Sequence, residues 1–207
     1  MTETELKELI RKAENNNIAA NVNLGNYYNK LPGTKENRVK AFGYYKAAAD
    51  LGYAPAQYTV GCFAYEGDGT RKDSSNAAYY WKLAANQNYA NAQYALARMY
   101  QNGECGLIAT EQKAVKLFKR AAEQGLAIAQ VALGDIYMFD KKEIDNAVFW
   151  WGCAYVHGKS DLKASNEAMD RLNDLVESGV PGGYDRVNRI VEEVQKEKYN
   201  TYTNNPK

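Results

Sequence analysis

The chain of 207 residues carries 26 lysines and arginines against 25 acidic residues, which gives a net charge of +1. This length suits one domain, or one continuous array of repeats, with a buried core. Because the two signs of charge balance, the composition lacks the strong positive field that nucleic-acid binding needs.

The first segment, residues 4–16, matches half of a unit that recurs later in the chain. Residues 11–20 align without a gap to residues 120–129, where one helix ends and the next begins. We therefore predict that residues 4–16 form an N-terminal half-repeat, a single helix without its partner.

An alanine followed by an amide side chain then recurs at intervals of 36, 36 and 37 residues, at Ala20, Ala56, Ala92 and Ala129. Four positions after each alanine comes an aliphatic residue, and after that a small one: Leu24-Gly25, Val60-Gly61, Leu96-Ala97 and Leu133-Gly134. These offsets share one face of a helix. Each unit therefore opens with an amphipathic first helix whose small residue lets a neighbouring helix approach closely.

A turn and a second helix complete each unit. Candidate caps, whose side-chain oxygens can accept from the free amides of the first turn, are Asn37, Asp73 and Thr110, with Glu143 as a poorer fourth equivalent. Cys105 falls where the turn of the third unit would carry its second glycine. Residues that tolerate the left-handed conformation end the second helices, at Gly52, Asn88, Gly125 and Gly158.

These patterns predict an all-α fold, an α-solenoid of helix-turn-helix repeats of about 36 residues within a single domain over residues 1–207. The predicted repeats are 18–53, 54–89, 90–126 and 127–159. The fourth second helix is apolar on nearly every side, so two further helices within 161–199 are expected to cap it. Residues 200–207 are predicted to form a loose tail.

The unit can be written A-[NQ]-x-x-[LV]-[GA]-x-x-Y-x-x-G-x-G, followed by A-x-x-[YW]-[YW]-x-x-A-A-x-x-G. This pattern resembles the Sel-1-like repeat family, cousins of the tetratricopeptide repeat, over about residues 11–158. Ala64 departs from it, because it replaces the tyrosine of the first helix in the second unit. The resemblance implies a right-handed solenoid, and bacterial members commonly finish with a similar pair of non-repeat helices.

Few residues in the chain could support catalysis or metal binding. One histidine and three widely spaced cysteines form no cluster of metal ligands, so we expect no metal and no cofactor. Cys153 and His157 are four residues apart on one helix, where a thiol could meet a base, but the adjacent tryptophans mark that helix as core. We therefore predict no catalytic residues and no enzymatic activity. Gly67-Asp68-Gly69-Thr70 lacks the lysine and serine of a P-loop, and a repeat turn explains it.

The chain also lacks signs of export or membrane insertion. Its first seven residues are acidic overall, whereas an export signal begins with a basic and then an apolar stretch. The longest apolar stretch, residues 147–156, is far shorter than the roughly 20 residues of a membrane span. The odd number of cysteines favours reduced thiols. We expect a cytoplasmic protein without membrane contact.

The first helices have a second face, formed by the residues two, six and nine positions after the repeat alanine. In tetratricopeptide-like arrays this face is concave. Besides Val22 and Val131 it carries mixed polar, aromatic and sulfur-containing side chains, types that suit a binding surface. We predict that a protein or peptide contacts Asn26, Asn29, Tyr58, Cys62, Tyr65, Tyr94, Arg98, Gln101, Asp135 and Met138. Alternatively, Tyr58 and Tyr94 only stack on each other between repeats.

The amides that follow the repeat alanines have a different predicted role. Side chains of this type at one fixed offset satisfy backbone groups between units more readily than they bind a ligand. We assign this structural role to Asn21, Gln57, Gln93 and Gln130.

A non-enzymatic protein-interaction module, monomeric or weakly oligomeric, is the leading functional hypothesis. The family resemblance extends the role to a scaffold, an adaptor or an immunity-type inhibitor that sequesters a toxic effector. Two alternatives stay open. Helical repeats of similar length also bind RNA, one base per unit, and Cys153 with His157 could serve a cysteine-dependent enzyme.

Overall fold

A computed structural model describes residues 2–104 and 111–203, and all regular structure within those ranges is helical. The predicted all-α class of helix-turn-helix repeats is confirmed. The chain divides into two compact units, Met1–Glu111 and Gln112–Lys207. The first contains α1 (Glu3–Glu14), α2 (Ile18–Lys30), α3 (Lys35–Asp50), α4 (Ala54–Glu66), α5 (Ser74–Asn86) and α6 (Ala90–Asn102). The second contains α7 (Glu111–Glu123), which starts at the boundary, α8 (Ala127–Phe139), α9 (Ile144–His157), α10 (Leu162–Glu177) and α11 (Gly183–Thr203).

Side-chain caps set where the second helices begin, and one of the predicted caps is wrong. Asp73 caps α5 as predicted, because its carboxylate accepts a hydrogen bond from the Asn76 amide at 2.9 Å. Asn37 is not a cap. Helix α3 begins directly after Thr34, whose hydroxyl accepts from the Asn37 amide at 3.3 Å, and threonine is among the preferred N-cap residues. Glu143 makes no side-chain cap bond, and Thr110 lies outside the described residues.

Left-handed residues end three of the second helices, as predicted. Gly52, Asn88 and Gly125 have φ angles of 89°, 63° and 84°. The prediction is wrong for Gly158, whose φ of -72° is ordinary for any residue. Gly158 instead opens a short 3-10 helix, Gly158–Ser160, that leads into α10. Cys105 lies outside the described residues.

The small residue of the first helix is required by an aromatic ring of the second. A methyl group at Gly25 would lie 2.7 Å from the Tyr45 ring, and one at Gly61 or Gly134 would overlap the indole of Trp81 or Trp151. Real carbon atoms do not approach so closely, so these positions admit only hydrogen. The predicted close approach of helices at the small residue is confirmed.

The two terminal helices cover α9, as predicted for an apolar helix at the end of an array. Trp151 is 1% exposed and lies in one core cluster with Ala168 and Leu172 of α10 and with Val187 and Ile190 of α11. Helix α11 continues to Thr203, four residues beyond the predicted end at 199, and residues 204–207 are not described. The C-terminal helical cap is therefore part of the core of the second unit.

Candidate protein-interaction surface

Four buried amides at equivalent positions connect consecutive helix pairs. The side-chain nitrogen of Asn21 donates to the backbone carbonyl eight residues earlier at 3.4 Å, and those of Gln57, Gln93 and Gln130 do the same at 3.2, 3.4 and 3.0 Å. The acceptors lie at the ends of the preceding second helices, where carbonyls lack helical partners. The structural role predicted for these amides is confirmed.

Two predicted contact residues bind an aromatic side chain of their own helix pair. The Tyr45 hydroxyl donates to Asn26 Oδ1 at 2.8 Å, and Trp151 Nε1 donates to Asp135 Oδ1 at 3.1 Å. The Asp135 carboxylate also forms an ion pair with Arg171 of α10 at 3.0 Å. In the first and fourth repeats, the residue six positions after the repeat alanine therefore also orients the second helix.

The remaining predicted residues of the first and fourth repeats also have intramolecular contacts. The guanidinium of Arg38 donates to Asn29 and pairs with Asp68 at 3.6 Å. In the second unit, Met138 packs against the core cluster of α9, and Val131 is buried. Both ends of the predicted face thus have intramolecular contacts.

Tyr58 and Cys62 lie half-buried on α4. Tyr58 contributes its backbone carbonyl to Trp81 Nε1 at 3.1 Å, and its ring lies 5.5 Å from that of Tyr89, which precedes α6. Burial raises the pKa of the Cys62 thiol, and burial together with the neighbouring Cys62 raises the pKa of Tyr58. Both groups are therefore neutral at physiological pH and suited to a desolvated contact.

Tyr65, the next-to-last residue of α4, contacts the segment that follows α6. Its hydroxyl donates to Glu104 at 3.1 Å, its ring lies 5.4 Å from that of Trp81, and Lys72 Nζ lies 5.9 Å from the ring centre. Neither Glu104 nor Lys72 is among the contact residues predicted from the sequence. Since Tyr58 contacts the residue before α6, and Tyr65 the segment after it, α4 and α6 lie side by side.

Arg98 and Gln101 are exposed on α6, and Tyr94 is half-buried. Arg98 is equivalent to Asn26 and Asp135, but the third repeat has Phe118 at the position of the donor aromatic, and a phenyl ring has no polar hydrogen. Within residues 2–104 and 111–203, Arg98 forms no ion pair. We call the set on these two helices the α4–α6 surface: Tyr58, Cys62, Tyr65, Tyr94, Arg98 and Gln101.

Cys153 and His157, the pair with catalytic potential in the sequence, both lie on α9. Cys153 is 7% exposed in α9 and belongs to the second unit, whereas Cys62 belongs to the first. The described residues contain no group of three or more histidine, cysteine or acidic side chains that could hold a metal ion. None of the described helices combines the length and the apolar character of a membrane-spanning segment.

Comparison with known proteins places this arrangement in a family. The model of the Sel1 repeat matches residues 18–53, 54–89, 90–126 and 127–158. The chain belongs to the Sel1 repeat family. No curated protein matches the sequence.

Several solved structures are similar to this chain. A protective antigen of uropathogenic Escherichia coli is 27% identical with a TM-score of 0.70, and the match covers 89% of this chain but only 40% of the antigen. A Sel1 repeat protein from Oxalobacter formigenes is 23% identical with a TM-score of 0.62, covering 88% and 89%. An immunity protein from Pseudomonas aeruginosa is 16% identical with a TM-score of 0.54, covering 92% and 71%. At these last two identities the likeness concerns the fold alone.

Proposed function

We propose that this Sel1 repeat protein is a non-catalytic interaction module that binds another protein through the α4–α6 surface. Sel1 repeat proteins generally serve as scaffolds for protein interactions. The proposal assigns that general role to two particular helices of the first unit.

The proposal depends on one observation, the exposure of Arg98 without an ion pair among the described residues. An exposed arginine that forms no ion pair with the described residues can offer its five donors to an incoming carboxylate or backbone carbonyl. The half-buried tyrosines on both helices add contact area at little cost in side-chain entropy, and tyrosine with arginine dominates the energetics of many interfaces. A partner that presents an acidic group beside an apolar patch fits this combination.

Predicted contact residues of the first and fourth repeats contribute less to the proposed surface. Asn26, Asn29 and Asp135 already bind intramolecular partners, so a protein ligand would have to compete for them. The proposed contact is therefore concentrated on the second and third repeats.

Scaffold, adaptor and immunity-type inhibitor are all compatible with such a surface, because each needs only a stable groove with a few anchoring side chains. Fold likeness to an immunity protein is consistent with the inhibitor role. The catalytic alternative is disfavoured because the Cys153 side chain is 7% exposed, which leaves a substrate little access to the thiol. The RNA alternative is disfavoured by the net charge of +1.

A charge reversal tests the proposal with little risk to the fold. The tagged full chain, its Arg98→Glu variant and a control, Lys82→Glu, are used to capture proteins from a lysate of the source cell. Lys82 is an equally exposed cation on α5, the second helix between α4 and α6. We expect wild type and Lys82→Glu to recover the same partner, and Arg98→Glu to lose at least about tenfold, because like charges oppose each other across an interface. Equal recovery by both variants would overturn the assignment.

A further inference from the structure

A hollow of about 390 Å³ lies between α1 and α3, away from the α4–α6 surface. These two helices occupy equivalent places in consecutive repeats, since α1 is the N-terminal half-repeat. The wall is mostly apolar, with Ile10 and Ala13 from α1 and Tyr44 and Ala47 from α3. This volume is within the range of sites that bind small molecules or single side chains.

Gly43 opens the hollow. The equivalent residues of the other second helices are large: Tyr79, Lys116 and Phe149. A methyl group placed on Gly43 meets no atom within 4 Å, so no neighbour requires glycine there and none fills the space. Glycine is also a poor residue for the middle of a helix. Its presence in α3 therefore has no packing explanation, and its effect is an open cavity.

The aromatic side of the hollow is rigid. The Tyr44 ring stacks on Tyr28, with centroids 5.6 Å apart and planes 8° from parallel. Tyr28 and Tyr44 both pack against the small core cluster of Ala13, Ala20 and Leu24. A ring held in this way provides a preformed flat surface, whose face attracts a cation.

Glu14 supplies a carboxylate at the rim, and it lacks the partners of its equivalent in the next repeat. There, Asp50 pairs with Lys46 at 2.6 Å and accepts from the Tyr80 hydroxyl at 3.0 Å. In the first interface Ile10 stands in place of Lys46. Within the described part of the chain Glu14 forms neither an ion pair nor a hydrogen bond through its side chain.

The lysine that lines the hollow already has an intramolecular partner. Lys40 lines the hollow, but its ammonium group pairs with Glu36 at 2.6 Å and lies 5.4 Å from the centre of the Tyr28 ring. The hollow therefore combines an open apolar space with a carboxylate that has no cation partner among the described residues.

We propose that this hollow binds an arginine side chain of a partner protein. The methylene groups would pack against Ile10 and Ala47, and the guanidinium would pair with Glu14 beside the Tyr44 ring. Arginine suits the site better than lysine because its planar, weakly hydrated cation stacks on aromatic rings and bonds carboxylates through two donors. The inference does not depend on the α4–α6 surface.

The probe for this proposal is N-acetyl-arginine methylamide, compared with the citrulline compound of nearly the same shape but without charge. Each is titrated into the ¹⁵N-labelled full chain while amide chemical shifts are recorded. We expect saturable shifts centred on Gly43 and Ala47, with millimolar affinity for the arginine compound and about threefold weaker binding of the citrulline compound. Equal affinity of the two compounds, or no saturable shift at these amides, would overturn the proposal.

Two pairs of variants separate the hollow from general surface effects. Gly43→Tyr restores the bulk found in the next repeat and should abolish binding, whereas Gly43→Ala, which leaves the hollow open, should retain it. Glu14→Gln should reduce the arginine affinity to that of citrulline, while Glu3→Gln at the start of α1 should not. If Gly43→Tyr lost helix content by circular dichroism, Glu14→Gln would decide the question. Unchanged arginine binding by Glu14→Gln would refute the assignment.

Discussion

The indole of Trp151 donates to Oδ1 of Asp135 at 3.1 Å, and Arg171 binds the same oxygen at 3.0 Å. One carboxylate thus connects α8 to the buried aromatic of α9 and to the cap helix α10. Removing it would leave a buried indole N–H without an acceptor. We expect Asp135→Ala to lower the free energy of unfolding by about 2 kcal/mol, measured by urea denaturation followed by circular dichroism.

The conservative variant serves as the control for this prediction. Asp135→Asn keeps an acceptor for the Trp151 indole and loses only the charge that pairs with the half-exposed Arg171, so its cost should stay below about 1 kcal/mol. If both variants had the stability of the wild type, the contact would contribute nothing to the fold.

The second prediction concerns the small residue of the first helix. Gly61→Ala would place a methyl group inside the contact distance of the Trp81 ring, so either the ring or the helix must move. We expect a loss of about 1–3 kcal/mol, typical of overpacking. Gly43→Ala is the matched control in the same unit, because its methyl group meets no atom within 4 Å and alanine favours the helix. Thermal unfolding should show the first variant destabilised and the second equal to wild type or more stable.

The third prediction compares two of the buried repeat amides. Gln57 donates to a backbone carbonyl and its oxygen accepts from Gln87 at 2.8 Å, whereas the buried Oε1 of Gln130 has no hydrogen-bond partner in the described part of the chain. Leucine at either position removes the donor to one carbonyl. At position 57 it also removes the acceptor of a second hydrogen bond, from Gln87, which keeps its bond to the Gly52 carbonyl at 3.0 Å. We therefore expect Gln57→Leu to cost about 1 kcal/mol more than Gln130→Leu in unfolding experiments. The reverse order would show that the Gln130 amide is satisfied by water.

The fourth prediction is a dependence on alkaline pH. Because burial raises the pKa of Cys62, the folded state favours the neutral thiol. That contribution is complete below the ordinary thiol pKa of about 8.5 and is lost as the pH rises through the raised folded value. Alkylation of Cys62 by iodoacetamide, followed by peptide mass spectrometry, should be slower in the folded chain than in urea at pH 9. Equal rates would contradict the raised pKa.

Much of the fold could be predicted from the sequence because each repeat carries the same local signals. A rule about one helix or one turn is enough to predict the small residues Gly25 and Gly61, the left-handed Asn88 and the apolar α9. The start of α3 was wrongly assigned to Asn37, since asparagine is also a preferred cap and lies only three residues after Thr34. Gly158 was misassigned because glycine permits, but does not require, a left-handed conformation.

The candidate surface was harder to predict than the fold. Helical periodicity assigned Asn26 and Asp135 to a face, but the side chain that each one binds is on the following helix, and periodicity carries no information about that distance. The hollow at Gly43 could have been found by comparing equivalent positions across the repeats. Its significance depends on the partners of Glu14 and Asp50, which only the structure shows.

The most direct test of the account is a map of the surface protected by the partner. Hydrogen–deuterium exchange of the captured complex, compared with the free chain, reports on each helix separately. We predict slower exchange in the peptides that cover α4 and α6, with no change in α5. Protection confined to α5, with α4 and α6 exchanging as in the free protein, would contradict the α4–α6 surface as the binding site.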